Sequence, residues 1–152
     1  MDQTRYTTTK ISESFEMPGY VLDDDVLQRI DSICKQAVLS TKESEENHLK
    51  TTFIITPVEQ NQTKFRSITN LRDYLNSESS DIKSINLEYN LLGTAAINLI
   101  FTSKGKIELS AYSNALDFQF NIDRLKREIR RCDQEYNWLI RKYIFSSASS
   151  LL

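Results

Sequence analysis

The residues best suited to chemistry in this chain are few and scattered. His48 is the only histidine, set in a charged stretch with Glu43, Glu45 and Glu46 close by. A Ser-His-Asp relay needs a nucleophile beside the imidazole, and the chain has no nucleophile-elbow pattern to supply one. Zinc needs three or four N, S or O ligands, and one histidine with Cys34 and Cys132 on separate helical stretches falls short of that set. The run Asp23-Asp24-Asp25 lacks the ligand spacing, turn glycine and bidentate glutamate of a calcium loop. It suits the start of a helix, where carboxylates meet free N–H groups. Gly19, Gly93 and Gly105 all stand at turns, so no glycine-rich phosphate loop is present. These observations predict no catalytic, cofactor-binding or metal-binding set. Carboxylate-only chemistry, assembled from distant residues, is the enzyme reading left open.

Cations are the other group with potential for binding. Residues 1–81 carry nine Lys/Arg against fourteen Asp/Glu, whereas residues 121–145 carry seven against four. Within that basic segment Arg124, Arg127 and Arg131 recur at i, i+3 and i+7, one stripe of a helix. Arg141 and Lys142 continue the positive charge toward Ile144-Phe145. The five residues form a candidate surface for anionic lipid or, less favoured, nucleic-acid phosphate. Glu128, Asp133 and Glu135 lie among them and offer ion pairs. A net charge of −2 is far from the strongly basic balance of a dedicated duplex binder.

The elements that carry these residues follow from periodicity. Between Ser84 and Tyr112 apolar residues alternate with polar ones in three runs, on Ile85–Leu91, Ala95–Phe101 and Ile107–Ala111, broken at Leu92-Gly93 and Ser103-Lys104-Gly105. Alternation at period two predicts a three-strand antiparallel meander with one apolar face. Lys10 to Met17, Thr51 to Thr56 and Lys64 to Ile68 read as further strands, and Pro18-Gly19 and Pro57 end two of them. Val26, Leu27, Ile30, Ile33, Cys34, Ala37 and Val38 give an amphipathic helix to about Leu39. Thr69 is the expected cap of a short helix with Leu71, Tyr74 and Leu75. Phe118, Ile122, Leu125, Ile129, Cys132, Tyr136, Leu139 and Tyr143 mark the longest helix, with Asn114 and Asn121 as equal candidates for its cap.

The predicted fold is α+β: an antiparallel sheet of about five to six strands, two long helices packed on one face, and a short helix between strands. With 39% apolar and 26% charged residues, 152 residues suffice for one core without disulfides or metal. The expected organisation is a loose segment 1–9, one domain over 10–145 and a tail over 146–152. The heptad spacing from Ile122 also allows a coiled coil, but the apolar sheet face needs a covering helix, and packing within the chain is favoured.

Three stretches carry a resemblance: Lys10-Ile-Ser-Glu-Ser-Phe15, Phe65-Arg-Ser-Ile-Thr-Asn-Leu-Arg-Asp-Tyr-Leu75 and Ile82-Lys-Ser-Ile-Asn-Leu87. In layout they are similar to small uncharacterised bacterial α+β modules that precede transmembrane helices. The resemblance implies no catalytic residue; it implies a membrane anchor beyond Leu152. Tyr136, Trp138, Arg141 and Lys142 have the composition of a cytosolic membrane border. The N-terminal residues lack the apolar core of a secretory signal, and reduced thiols are the expected state of both cysteines. The expectation is a noncatalytic protein-interaction or sensory module, cytoplasmic or at the cytoplasmic face of a membrane. Its expected partner is another protein, and a homodimer through an edge strand or the C-terminal tip is a further association that the pattern allows.

Overall fold

The computed structural model describes residues 9–16, 20–21, 24–39, 49–59, 61–77, 82–91, 94–115, 117–134 and 144–145. In chain order the elements are β1 (Thr9–Glu16), β2 (Tyr20–Val21), α1 (Asp24–Leu39), β3 (Leu49–Pro57), β4 (Thr63–Phe65), α2 (Ile68–Ser77), β5 (Ile82–Leu91), β6 (Ala95–Thr102), β7 (Lys106–Ser113), α3 (Phe118–Gln134) and β8 (Ile144–Phe145). Six strands form one sheet in the order β1-β7-β6-β5-β3-β4, antiparallel at every junction. This is the α+β architecture that the alternation predicts. β2 and β8 form a separate two-stranded ladder, so Ile144-Phe145 pair with Tyr20-Val21 instead of ending a helix.

Alternation places the odd-numbered strand residues on one face. Ile85, Leu87, Tyr89, Ile97, Leu99, Phe101, Ile107 and Leu109 are each at most 1% exposed. They share a single core with Ile30 and Ile33 of α1 and Ile122, Leu125 and Ile129 of α3. The apolar stripe of α3 is therefore spent on its own sheet and on α1, as the need to cover the meander requires. The continuation of that stripe through Tyr136, Leu139 and Tyr143 lies outside the described residues, as does the side chain of Cys132.

Local chemistry sets the element ends. Residues 103–105 close the β6–β7 hairpin with Gly105 at φ 83°, a left-handed conformation that costs a residue with a Cβ. Thr102 clamps the same turn: its hydroxyl donates to the Lys106 carbonyl at 2.9 Å and accepts from the Lys106 N–H at 3.2 Å. Two helix starts differ from expectation. The cap of α2 is Ser67, whose Oγ accepts the Asn70 N–H at 3.1 Å; Thr69 lies inside the helix. α3 begins at Phe118, so neither Asn114 nor Asn121 caps it. Phe118 drops into the core while Phe120 is 64% exposed, and the alternation across these residues does not mark a strand.

Candidate functional site

The helices occupy one face of the sheet. The even-numbered residues build the other, and the strand register aligns them in rows. Lys10, Tyr112, Ala96, Asn90 and Lys50 form one row across β1, β7, β6, β5 and β3. Ser12, Ser110, Asn98, Glu88 and Thr52 form the next. In the third, Ser14 and Glu108 lead into Ile100, Asn86 and Ile54. Tyr112, Ala96, Asn98, Glu88, Ile100 and Asn86 are half-buried, whereas Lys10, Ser12, Ser14, Ser110 and Asn90 are exposed.

A depression of about 430 Å³ opens over β1, β7 and β6, lined on this face by Lys10, Ser12, Ala96, Asn98, Ser110 and Tyr112. Its lining residues carry an ammonium, an amide, two serine hydroxyls and the Tyr112 phenol, yet the surface it exposes is predominantly apolar. Two side-chain acceptors on this face are sealed from solvent yet accept no hydrogen bond, Asn98 Oδ1 at the depression and Asn86 Oδ1 away from it. Asn86 uses its other end, donating from Nδ2 to Glu88 Oε2 at 2.9 Å. A buried acceptor without a donor costs about 1–3 kcal/mol. Asn98 lines the depression, so rotation about its soft terminal torsion turns the amide toward whatever occupies it.

On the helix side, polar groups are tied together inside the core. Tyr89 Oη donates to Asp31 Oδ1 at 2.6 Å, and Lys35 Nζ lies 3.2 Å from Asp31 Oδ2. Burial, then the neighbouring Asp31 carboxylate, holds the Cys34 thiol well above its ordinary value of 9.0. Burial also raises the Tyr89 phenol well above 10.0, with Cys34 and Asp31 adding to it. A thiol kept protonated is a poor nucleophile, and this cluster fastens α1 to β5. Glu128 of α3 is similarly enclosed, with Arg29 Nε at 2.9 Å and Arg131 at 3.4 Å.

The predicted cationic stripe is distributed among such contacts. Arg124 is half-buried and donates to Gln36 of α1 at 2.9 Å and to Asn121 at 3.4 Å. Arg131 reaches Glu128, and Arg127 is exposed. Lys126 bonds Glu13 of β1, and Arg130 stands 5.4 Å over the Phe15 ring. Arg141 and Lys142 lie outside the described residues, as do His48 and Asp23. Asp24 binds α2, with Arg72 Nε at 3.5 Å and the Asn76 amide at 3.4 Å. Among the described residues no three His, Cys, Asp or Glu side chains gather to hold a metal ion, and no helix is long and apolar enough to cross a membrane.

In the sequence the even positions read as the polar side of the strands, with no motif that marks them as a site. The signal was Asn86 and Asn98, a residue type disfavoured in strand interiors, set mid-strand among β-formers. Compared with known proteins, the chain matches no family model, no curated protein and no solved structure.

Proposed function

We propose that the chain is a noncatalytic protein-interaction module whose working surface is the open face of the sheet. The observation that carries this reading is the depression over β1, β7 and β6 with the unsatisfied Asn98 acceptor at its lining. Stability alone gives no reason to keep that amide, since a Thr or Val in its place strengthens a strand. A partner that brings a donor recovers the cost. The surroundings suit a polypeptide: Tyr112 offers a ring, Ser12 and Ser110 offer hydroxyls, and Lys10 favours an acidic group. Two further features support a protein over an anionic surface. Arg124 and Arg131 are engaged within the molecule, and the open face alternates Lys10 and Lys50 with Glu88 and Glu108 in place of one sign of charge. A cytoplasmic setting is part of the proposal, supported by the buried free thiol of Cys34.

The test is comparative affinity purification of the full-length chain from its own cells. Ser110→Arg fills the depression while leaving the core intact, and Arg127→Glu alters the opposite, helical side. The proposal expects at least one protein to be recovered with the unsubstituted chain and with Arg127→Glu, and to be lost with Ser110→Arg. Recovery that survives Ser110→Arg but fails with Arg127→Glu would move the site to α3 and contradict it.

A further inference from the structure

The sheet ends differently on its two sides. β4 is three residues long, and shortness is a standard protection for an edge. β1 runs eight residues, pairs with β7 along its whole length, and is bonded to no other strand among the described residues. Its outer side presents a row of backbone N–H and C=O groups suited to an added strand. We infer that β1 pairs antiparallel with β1 of a second copy, about a two-fold axis at Glu13, joining two six-stranded sheets into one.

The occupant is identified by complementarity. A two-fold axis normal to the sheet keeps each residue on its own face, which permits only registers that pair like-facing positions. With the axis at Glu13, Lys10 stands opposite the partner's Glu16 on the open face, and Ser12 stands opposite the partner's Ser14. On the helix side Ile11 meets the partner's Phe15. Symmetry makes each of these contacts twice. Sliding to the next allowed register in either direction sets Glu13 against Ile11 or Phe15 and breaks both charge pairs. The like charges that meet at the axis are already neutralised, because each Glu13 is paired with Lys126 of its own α3. The exposure of Lys10, Ser12, Ser14 and Glu16 leaves all four available.

The pairing also completes the depression. Lys10 and Ser12 form its outer wall in one copy, and the added strand extends that wall with the partner's Glu16 and Ser14. The dimer stands whichever protein the open face binds, and it is read from purified chain alone, so its failure and that of the proposed function are separable.

The experiment is sedimentation equilibrium of the purified full-length chain over a range of concentrations at low salt, with far-UV circular dichroism confirming the fold of each variant. The unsubstituted chain is expected to dimerise. Lys10→Glu places like charges opposite each other twice and is expected to weaken dimerisation by about tenfold or more. Adding Glu16→Lys in the same chain reverses both partners of the pair and is expected to restore the dimer. Register is read by oxidising Ser12→Cys, Ser14→Cys and their mixture; the mixture is expected to cross-link faster than either alone. A monomer at every concentration, which would leave the edge to another chain, overturns the inference. So does a dimer indifferent to Lys10→Glu, a loss that Glu16→Lys does not repair, or cross-linking fastest for one variant alone.

Discussion

Leu99 and Asn98 are neighbours in the middle of β6, yet they belong to different problems. Leu99 is shut into the core with α1 and α3 residues, as are the other odd-numbered residues of β6 and those of β5 from Ile85 to Leu91. Asn98 points the other way, onto a face covered by no described helix, with an acceptor that is buried and unused. The helix side also holds polar groups, but each one named there is answered: Tyr89 by Asp31, Asp31 by Lys35, Glu128 by Arg29. The strands thus present one face whose buried Tyr89 hydroxyl is bonded and another on which Asn86 and Asn98 leave acceptors open, while Arg72 Nε of α2, on the helix side, is buried with only its 3.5 Å contact to Asp24. The difference separates residues buried in the core from residues whose open acceptors the proposed partner would answer.

Substitutions can break or sharpen that contrast. The largest effect is expected from Leu99→Ala, which should lose about 2–5 kcal/mol through lost burial and the cavity left behind. Its open-face neighbour Ile100 is half-buried, and Ile100→Ala should cost about 1 kcal/mol. Chemical denaturation of both variants checks the pair, and equal losses would erase the distinction between faces. Tyr89→Phe removes a hydrogen bond to a buried carboxylate and should cost about 1.5–3 kcal/mol. Gly105→Ala forces a Cβ into the left-handed region and should cost about 1–2 kcal/mol, measured in the same way.

The answered face should also reveal itself through pH. Cys34 and Tyr89 hold their protons more tightly when folded than when unfolded. Their contribution is therefore fully present below the unfolded values and is lost as pH rises, first past 9.0 for the thiol and then past 10.0 for the phenol. The slope approaches about 1.4 kcal/mol per pH unit for each group that only the unfolded chain ionises. A Cys34→Ala, Tyr89→Phe double variant should show a shallower alkaline limb in denaturation curves between neutral pH and pH about 11.

Much of the fold is legible in the sequence because its signals are local. Period-two runs separated by Leu92-Gly93 and Ser103-Lys104-Gly105 determine the meander, its register and its buried face. Spacing from Val26 to Val38 determines α1. What escapes is non-local or degenerate. Nothing in Lys10–Phe15 says that β1 crosses to lie beside β7, because the pairing joins the two ends of the sheet in sequence. Ser67 and Thr69 are interchangeable as caps on paper, and only the path out of β4 decides for Ser67. The pairing of Ile144-Phe145 with Tyr20-Val21 is two residues long and leaves no periodic trace. The candidate site is hidden for a related reason: alternation marks Asn86, Glu88 and Asn98 as polar, but a solvated strand side and a binding face have the same pattern. Tertiary contact is needed to show which acceptors go unanswered. The cationic stripe reverses this lesson, since Arg124, Arg127 and Arg131 are regular in sequence while two of them serve contacts inside the molecule.

The smallest expected change in stability tests the central claim most directly. Asn98→Val replaces the unused acceptor with a strand-favouring side chain on the open face. Denaturation and affinity purification of this one variant, set beside the unsubstituted chain, read fold and function together. The expected result is a stability unchanged or raised by up to about 1 kcal/mol, together with loss of the protein recovered by the unsubstituted chain. A loss of stability comparable to Leu99→Ala, or full recovery of that protein, would contradict it.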